Sequence, residues 1–374
     1  MRVLLTNEKG EWMSVLERTA QHDFHHLPEY HRVAERRCEG IANLFTYQED
    51  QYLIAFPLML RPVDLANADG WNDATSVYGY GGPIASHDTV PASVVRNFQS
   101  ALTAALIERR VVTAFSRLHP LLSQQALLAG LGECRAKGET VSIDLTLPED
   151  EQWAQYAKRC KRSIRKLQKS GFVGVHDKHK RYLREFVDVY HATMRRSGAH
   201  PSYYFDRSYF AQLAEELGSR LQLFVVLAGN KVAAASLATL CEDIAQDHLG
   251  GTSDEFLDDS PDRLVVDTEC AWARAMGARV LHLGGGVGSQ NDSVFHYKAG
   301  FSPRRHTFSI WCHVVFREVY DELCDDRAHF NSIHGLIDAS PEYFPAYRAP
   351  TIACESTAQL DLAGATYKER DSIC

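Results

Sequence analysis

Leu281-His282-Leu283-Gly284-Gly285-Gly286-Val287-Gly288, followed by Phe295-His296-Tyr297-Lys298-Ala299-Gly300-Phe301, is the stretch on which the reading of this chain turns. An apolar run entering a glycine cluster marks a strand that ends in a tight turn, where missing side chains let backbone amides approach a ligand and permit positive φ. Lys298 follows, flanked by Tyr297 and Phe301. That placement suits an ammonium in a partly apolar pocket facing the loop, where it would stabilise an oxyanion. The same residues also suit a plain strand-to-helix turn whose lysine lies over aromatic surface, and spacing alone leaves both open.

Upstream of this stretch the pattern is that of an α/β unit. Leu221 to Leu227 and Val232 to Leu240 read as strands hinged at Gly229-Asn230, a two-residue turn pair, with a third strand from Ile244 to Gly250. A helix is expected from Pro261 to Met276, then Val280 to Leu283 and Thr307 to Val314 as strands. Two helices, Leu183 to Gly198 and Tyr209 to Leu217, come before, the second with Asp206 as its cap. The first half follows a similar plan. Residues 40 to 62 read as a strand pair around Gln48-Glu49-Asp50, Pro91 to Arg109 as a helix, and Val111 to Arg117 and Val141 to Leu145 as strands. The repetition suggests tandem copies of one α/β unit, without a residue-level repeat.

Between the two lies a basic segment. Lys158 to Arg184 holds eleven Lys or Arg against one acid, Asp177, leaving 29 basic and 47 acidic residues elsewhere in a chain of net charge −8. Trp153, Ala157, Cys160, Ile164 and Leu167 recur at helical steps, so Lys158, Arg162, Arg165 and Lys169 line an exposed side. Such a ladder can follow a phosphate backbone; a simply solvated helix face has the same pattern.

The composition, 45% hydrophobic and 24% charged over 374 residues, is that of a globular chain long enough for two domains. No basic, apolar leader and no run of 18 apolar residues is present, so secretion and membrane spanning are not expected and the cytoplasm is. Nine widely spaced cysteines without a CxxC pair argue against a disulfide framework or cysteine zinc site. No metal is expected either: the 17 histidines show no HExxH, and His22, His25 and His26 read as a loop.

The chain resembles the Fem-type branch of the GNAT superfamily, aminoacyltransferases that extend peptidoglycan precursor peptides from aminoacyl-tRNA, and their natural-product relatives. The resemblance is carried by His26-Leu27-Pro28-Glu29-Tyr30, Tyr78-Gly79-Tyr80-Gly81-Gly82-Pro83, Ser116-Arg117-Leu118-His119-Pro120, Ile143-Asp144-Leu145 leading into Arg162-Ser163-Ile164-Arg165-Lys166, Leu283-Gly284-Gly285-Gly286, Tyr297-Lys298-Ala299-Gly300-Phe301 and Phe344-Pro345-Ala346-Tyr347-Arg348. It implies a mixed α/β (α+β) fold of two tandem GNAT-like domains: residues 1–147 joined by the returning segment 315–350, and residues 148–314 beginning with the basic helix. The last residues, 351–374, are polar and small and read as a mobile tail.

The resemblance also implies roles. Lys298 falls where these enzymes place a lysine that contacts the tRNA acceptor end and stabilises transition-state charge. Arg196 and Tyr204 stand at acceptor-binding positions, with Arg195 and Tyr203 as equal alternatives. Tyr297, Phe301 and Gly284, Gly285 and Gly286 complete the expected substrate surface; Lys158, Arg162, Arg165 and Lys169 the tRNA surface. His248 sits after the third strand of the second unit, where relatives often have tyrosine, and Asp247 beside it is a candidate base. The implied co-substrate is aminoacyl-tRNA, with no other cofactor, and the acceptor a peptide or other amine.

The competing class is a coenzyme A-dependent N-acyltransferase. Such enzymes cradle pyrophosphate with a Gln/Arg-x-x-Gly-x-Gly/Ala loop, yet the corresponding junction here, Gly251 to Pro261, carries Asp254, Glu255, Asp258 and Asp259, with Asp262 just beyond. Acids there repel a diphosphate. A catalytically inactive RNA- or peptide-binding module is a third class, which retains the basic face but has no use for Lys298.

Overall fold

Apolar, β-branched runs bounded by turns build one continuous sheet. The computed structural model describes residues 1–65, 68–340 and 342–353. Its strands are β1 (Arg2–Leu5), β2 (Ile41–Glu49), β3 (Tyr52–Pro62), β4 (Asn72–Thr75), β5 (Ile84–Ala85), β6 (Val111–Arg117), β7 (Glu133–Asp144), β8 (Phe172–Asp177), β9 (Leu221–Ala228), β10 (Lys231–Cys241), β11 (Ile244–Thr252), β12 (Val280–Gly284) and β13 (Arg305–Val314). They lie in the order β1-β2-β3-β4-β6-β13-β7-β12-β11-β10-β9-β8, with β5 on β3.

The same unit recurs on either side of the sheet's middle. An antiparallel run β2-β3-β4 leads through the helix Ala92–Glu108 to β6, which is parallel to β4. Likewise β9-β10-β11 leads through the helix Asp262–Ala275 to β12, parallel to β11. A parallel pair needs such a crossover, and a helix supplies it while covering the sheet with its apolar face. The halves then exchange strands. β7, from the first half of the chain, pairs with β12, and β13 inserts between β6 and β7.

Some local structure departs from the sequence pattern. The helix expected to run on from Trp153 is broken: Glu149–Gln155 and Lys158–Lys169 are separate helices, with Ala157 extended (ψ 146°) between them and its N–H donated to Gly300 O at 2.8 Å. β7 begins eight residues before the expected Val141, because its polar first half is held by main-chain pairing with β13 rather than by burial. A helix that the pattern does not announce, Arg317–His334, packs on β6. The segment after it returns to the first half, where Tyr347 OH meets Thr113 Oγ1 at 2.9 Å and Arg348 pairs with Asp73. Thr351–Ala353 pairs with Leu336–Asp338; the rest of the expected tail, residues 354–374, lies outside the described residues.

Candidate active site

β11 and β12 run side by side only over Ile244–Gln246 and Val280–His282. Beyond that point β11 stays with β10 through Thr252 and β12 stays with β7, so a wedge opens between them. Asp247 and His248 begin one lip and Leu283 to Gly286 form the other.

The glycines of the second lip are there for space. Gly284 has φ +76°, and a Cβ on it would lie 3.3 Å from both Lys298 Nζ and Tyr80 Oη. A Cβ on Gly285 would stand 2.9 Å from Glu139 O, and one on Gly286 would collide with Gln290 O and the Asp292 carboxylate. Asp292 ties the loop to the short helix Ser293–Ala299, accepting from Val287 N at 3.1 Å and from Phe295 N, as its N-cap, at 2.8 Å. From that helix Lys298 reaches back and donates to Gly285 O at 2.8 Å. Burial lowers its pKa, while the charges of Asp247 and Asp292 oppose the shift. Asp247 is raised by burial, against the pull of Lys298 and a 2.6 Å hydrogen bond from Ser236 Oγ.

Asp247 and His248 are neighbours on a strand and so point to opposite faces. Only Asp247 shares the side of Lys298. His248 is packed instead among Phe24 (5.1 Å between centroids), Tyr30 (5.9 Å) and Tyr78 (6.0 Å), where burial depresses its pKa to about 3. His248, expected as a catalytic group, thus stands in an aromatic cluster on the face away from Lys298. Phe301, expected at the substrate surface, is wholly buried, edge-on to Tyr156 (5.1 Å) and Tyr297 (5.5 Å), so it seats the Lys298 helix rather than touching substrate. Tyr297 lies half-buried below it, bonded to Asp262 and facing the Arg263 guanidinium at 5.8 Å.

The two expected acceptor residues stand apart from the Lys298 cluster. Arg196 is committed to Asp254 and, at 3.3 Å, to Thr252 O at the far end of β11. Tyr204 is exposed and stacked on His191. Its alternative, Tyr203, faces Tyr78 at 5.9 Å; Arg195 is exposed.

Tyr80 is a site residue that sequence reasoning places only within a glycine-rich pattern. Its hydroxyl comes to the glycine loop beside Lys298, with its pKa raised by burial against a hydrogen bond from the Gly285 backbone. Behind it sits a buried polar set. Asp23 Oδ2 accepts from His25 Nδ1 and His119 Nε2, each at 3.0 Å, and both rings pack on Tyr80 at 5.7 and 6.0 Å. Although burial acts to raise the Asp23 pKa, those two hydrogen bonds hold it well below the usual carboxylate range. Gly79 is required here, since at φ +106° a Cβ would overlap the His25 ring.

Asp23, His25 and His119 offer donor atoms within 4.8 Å of one another, enough for a metal to be considered. Their surroundings do not fit one. A metal-bound imidazole donates its other N–H to an acceptor, but His119 Nδ1 accepts from Leu121 N at 3.2 Å and His25 Nε2, against Gly79, has no partner. The set suits a carboxylate that fixes two imidazole rings.

Around the corner from the wedge, Lys158, Arg162, Arg165 and Lys169 are all exposed on one side of their helix, whose other side buries Cys160, Ile164 and Leu167. Lys158, Arg162 and Arg165 line a hollow of about 400 Å³ with Trp153, whose ring lies 5.8 Å from the Arg165 guanidinium. The Ala157–Gly300 hydrogen bond joins the start of this helix to the end of the Lys298 helix.

Residues 154–309 match the family model described as an acetyltransferase (GNAT) domain. No curated protein matched the sequence. Among solved structures the chain is similar to FemX, at 13% identity and TM-score 0.65 over 86% of this chain and 99% of that one. It is also similar to the C-terminal domain of a putative lysylphosphatidylglycerol synthetase from Agrobacterium fabrum (13% identity, TM-score 0.52, 82% and 91% covered) and to L-PGS from Bacillus licheniformis (14%, 0.51, 82% and 92%). No helix among the described residues is long and apolar enough to cross a membrane. The family-model match supports an acyltransferase. Residues 154–309 thus match the acetyltransferase (GNAT) domain model, and the chain shares the fold of FemX.

Proposed function

We propose that the protein is an aminoacyltransferase, moving an aminoacyl group from aminoacyl-tRNA to the amine of a peptide or peptide-like acceptor and forming a peptide bond. The carrying observation is the coupling of two features: an ammonium fixed at the glycine lip of the β11/β12 wedge, and a basic helix hydrogen-bonded to the back of the helix that presents it. A tRNA lying along Lys158, Arg162, Arg165 and Lys169 has its acceptor end carried toward Lys298.

The chemistry needs little else. An aminoacyl ester is already activated, so a neutral amine held near its carbonyl attacks directly. Lys298 has three N–H donors, and one is spent on Gly285 O; another meets the oxyanion as it forms. Asp247, electrostatically coupled to Lys298, takes the amine proton.

The acyl-CoA reading has less support. Between β11 and the next helix the chain offers acids already paired with cations, Asp254 with Arg196, Glu255 with Lys231 (2.7 Å) and Asp259 with Lys166 (3.1 Å), where a pyrophosphate would need donors. Incubation with a radiolabelled pool of charged tRNAs and a panel of amine acceptors, acyl-CoA in parallel, tests the proposal: label should move from tRNA to the acceptor. Transfer from acyl-CoA alone would replace it.

A further inference from the structure

The helix Lys158–Lys169 gathers cations at the end that is itself positive. Lys158, Arg159, Lys161 and Arg162 stand there with no acid in the first turn, an arrangement that costs stability unless an anion is brought to it. Lys166, further along, has its acid in Asp259 at 3.1 Å. Among the described residues the side chains of Lys158, Arg162 and Arg165 have neither an ion pair nor a hydrogen bond, and Lys161 meets only a carbonyl, Ala154 O at 3.1 Å.

These four unpaired cations line the hollow of about 400 Å³ together with Trp153, Ala154 and Asp150. Trp153 is half-buried and packs on the core beside Tyr156, 5.0 Å between centroids, so its ring is a fixed plate. The Arg165 guanidinium stands 5.8 Å from that ring. An aromatic ring and a guanidinium plane are the surfaces on which unpaired bases stack, and the flanking cations suit the phosphates that come with them. The size lies at the small end of ligand sites: it admits one nucleotide and excludes a duplex. Asp150 on the rim is exposed and has no ion pair, so it offers an acceptor to a base amino group and turns away a second phosphate.

Resting on the aminoacyl-tRNA reading above, we propose that this hollow is a binding site for one unpaired nucleotide of a single-stranded RNA end, its base against Trp153 and Arg165 and its phosphate among Lys158, Lys161 and Arg162. The hollow lies at the end of the basic helix that Ala157 N–H ties to Gly300 O, at the back of the Lys298 helix. Lys169 stands roughly 16 Å further along, at about 1.5 Å of rise per residue. The helix thus grips the unpaired end of its RNA rather than a stem.

A fluorescein-labelled single-stranded RNA dodecamer and the blunt duplex it forms with its complement test this, each titrated against the intact protein across a salt series. The wild type should bind the single strand more tightly, although the duplex carries twice the phosphate. Trp153→Leu keeps an apolar side chain and removes the ring. It should weaken dodecamer binding by about tenfold or more, the scale of one lost base–aromatic stack, with the salt slope and duplex binding unchanged. Arg162→Glu should instead weaken both RNAs and flatten the slope. Should Trp153→Leu not fold, ultraviolet crosslinking of a 4-thiouridine dodecamer to the wild type should mark the peptide that carries Trp153. Equal affinity for the two RNAs, a folded Trp153→Leu with wild-type affinity, or crosslinks only elsewhere overturns the proposal. A dodecamer held through Trp153 without transfer from any charged tRNA would contradict the transfer reaction and leave the nucleotide site standing; transfer from charged tRNA without preference for the single strand would do the reverse.

Discussion

Lys298 Nζ and the carbonyl oxygen of Gly285 are hydrogen-bonded at 2.8 Å, which makes the glycine lip and the lysine helix one rigid unit at the mouth of the wedge. An ammonium anchored in this way does not reorganise when negative charge appears beside it.

Replacing Lys298 by Met should therefore lower turnover by roughly a hundredfold or more, the scale of losing one oxyanion donor, with acceptor affinity little changed. Lys298→Arg should restore only part, because a planar guanidinium does not reproduce a compact charge. Single-turnover kinetics on preformed enzyme–aminoacyl-tRNA complex make the comparison. A wild-type chemical step in the methionine variant would end the assignment.

Gly284→Ala asks for a side chain at φ +76° and crowds both Lys298 Nζ and Tyr80 Oη. The backbone strain is about 1–2 kcal/mol. We expect a modest drop in melting temperature and a larger loss of rate. A rate that merely tracks the melting curve would show that the alignment of lysine and tyrosine at the loop is unimportant.

Asp23→Asn should cost about 1.5–3 kcal/mol, the scale of a hydrogen bond to a charged group that is weakened to a neutral one. The Asp23 carboxyl is held below its ordinary value of 3.8, so its contribution is complete above that pH and is lost as pH falls through the depressed folded value. The stability gap between wild type and variant, followed by denaturant titration, should be flat near neutrality and shrink in acid. A gap that widens in acid would mean the carboxyl is not held ionised.

Reversing Arg162 and Arg165 to Glu should weaken tRNA binding and flatten its salt dependence, by about 0.7–0.9 in log–log slope for each phosphate that is no longer neutralised. The buried side of the helix, Cys160, Ile164 and Leu167, is untouched, so the fold should persist. Filter binding across a salt series measures both quantities; unchanged affinity at low salt would remove this helix from the tRNA path.

The elements legible in the sequence are those set by local patterns: the β9–β10 hairpin at Gly229-Asn230, the crossover helix between β11 and β12, and the strand that ends in the glycines. What escapes depends on distant pairing. The polar half of β7 is a strand because β13 binds its main chain, and no periodicity records that. His25 and His119 look like loop residues, since only the fold brings them to one carboxylate oxygen. His248 and Asp247 read together from adjacency, although a strand sends adjacent side chains to opposite faces.

A labelled aminoacyl group followed from charged tRNA to an amine acceptor in the presence of unlabelled acyl-CoA distinguishes the two donors. The expected result is a new peptide-bonded product that carries the label, forms at the same rate whether or not acyl-CoA is present, and disappears with Lys298→Met. Label that stays on tRNA while acyl-CoA is consumed in acceptor acylation would contradict it.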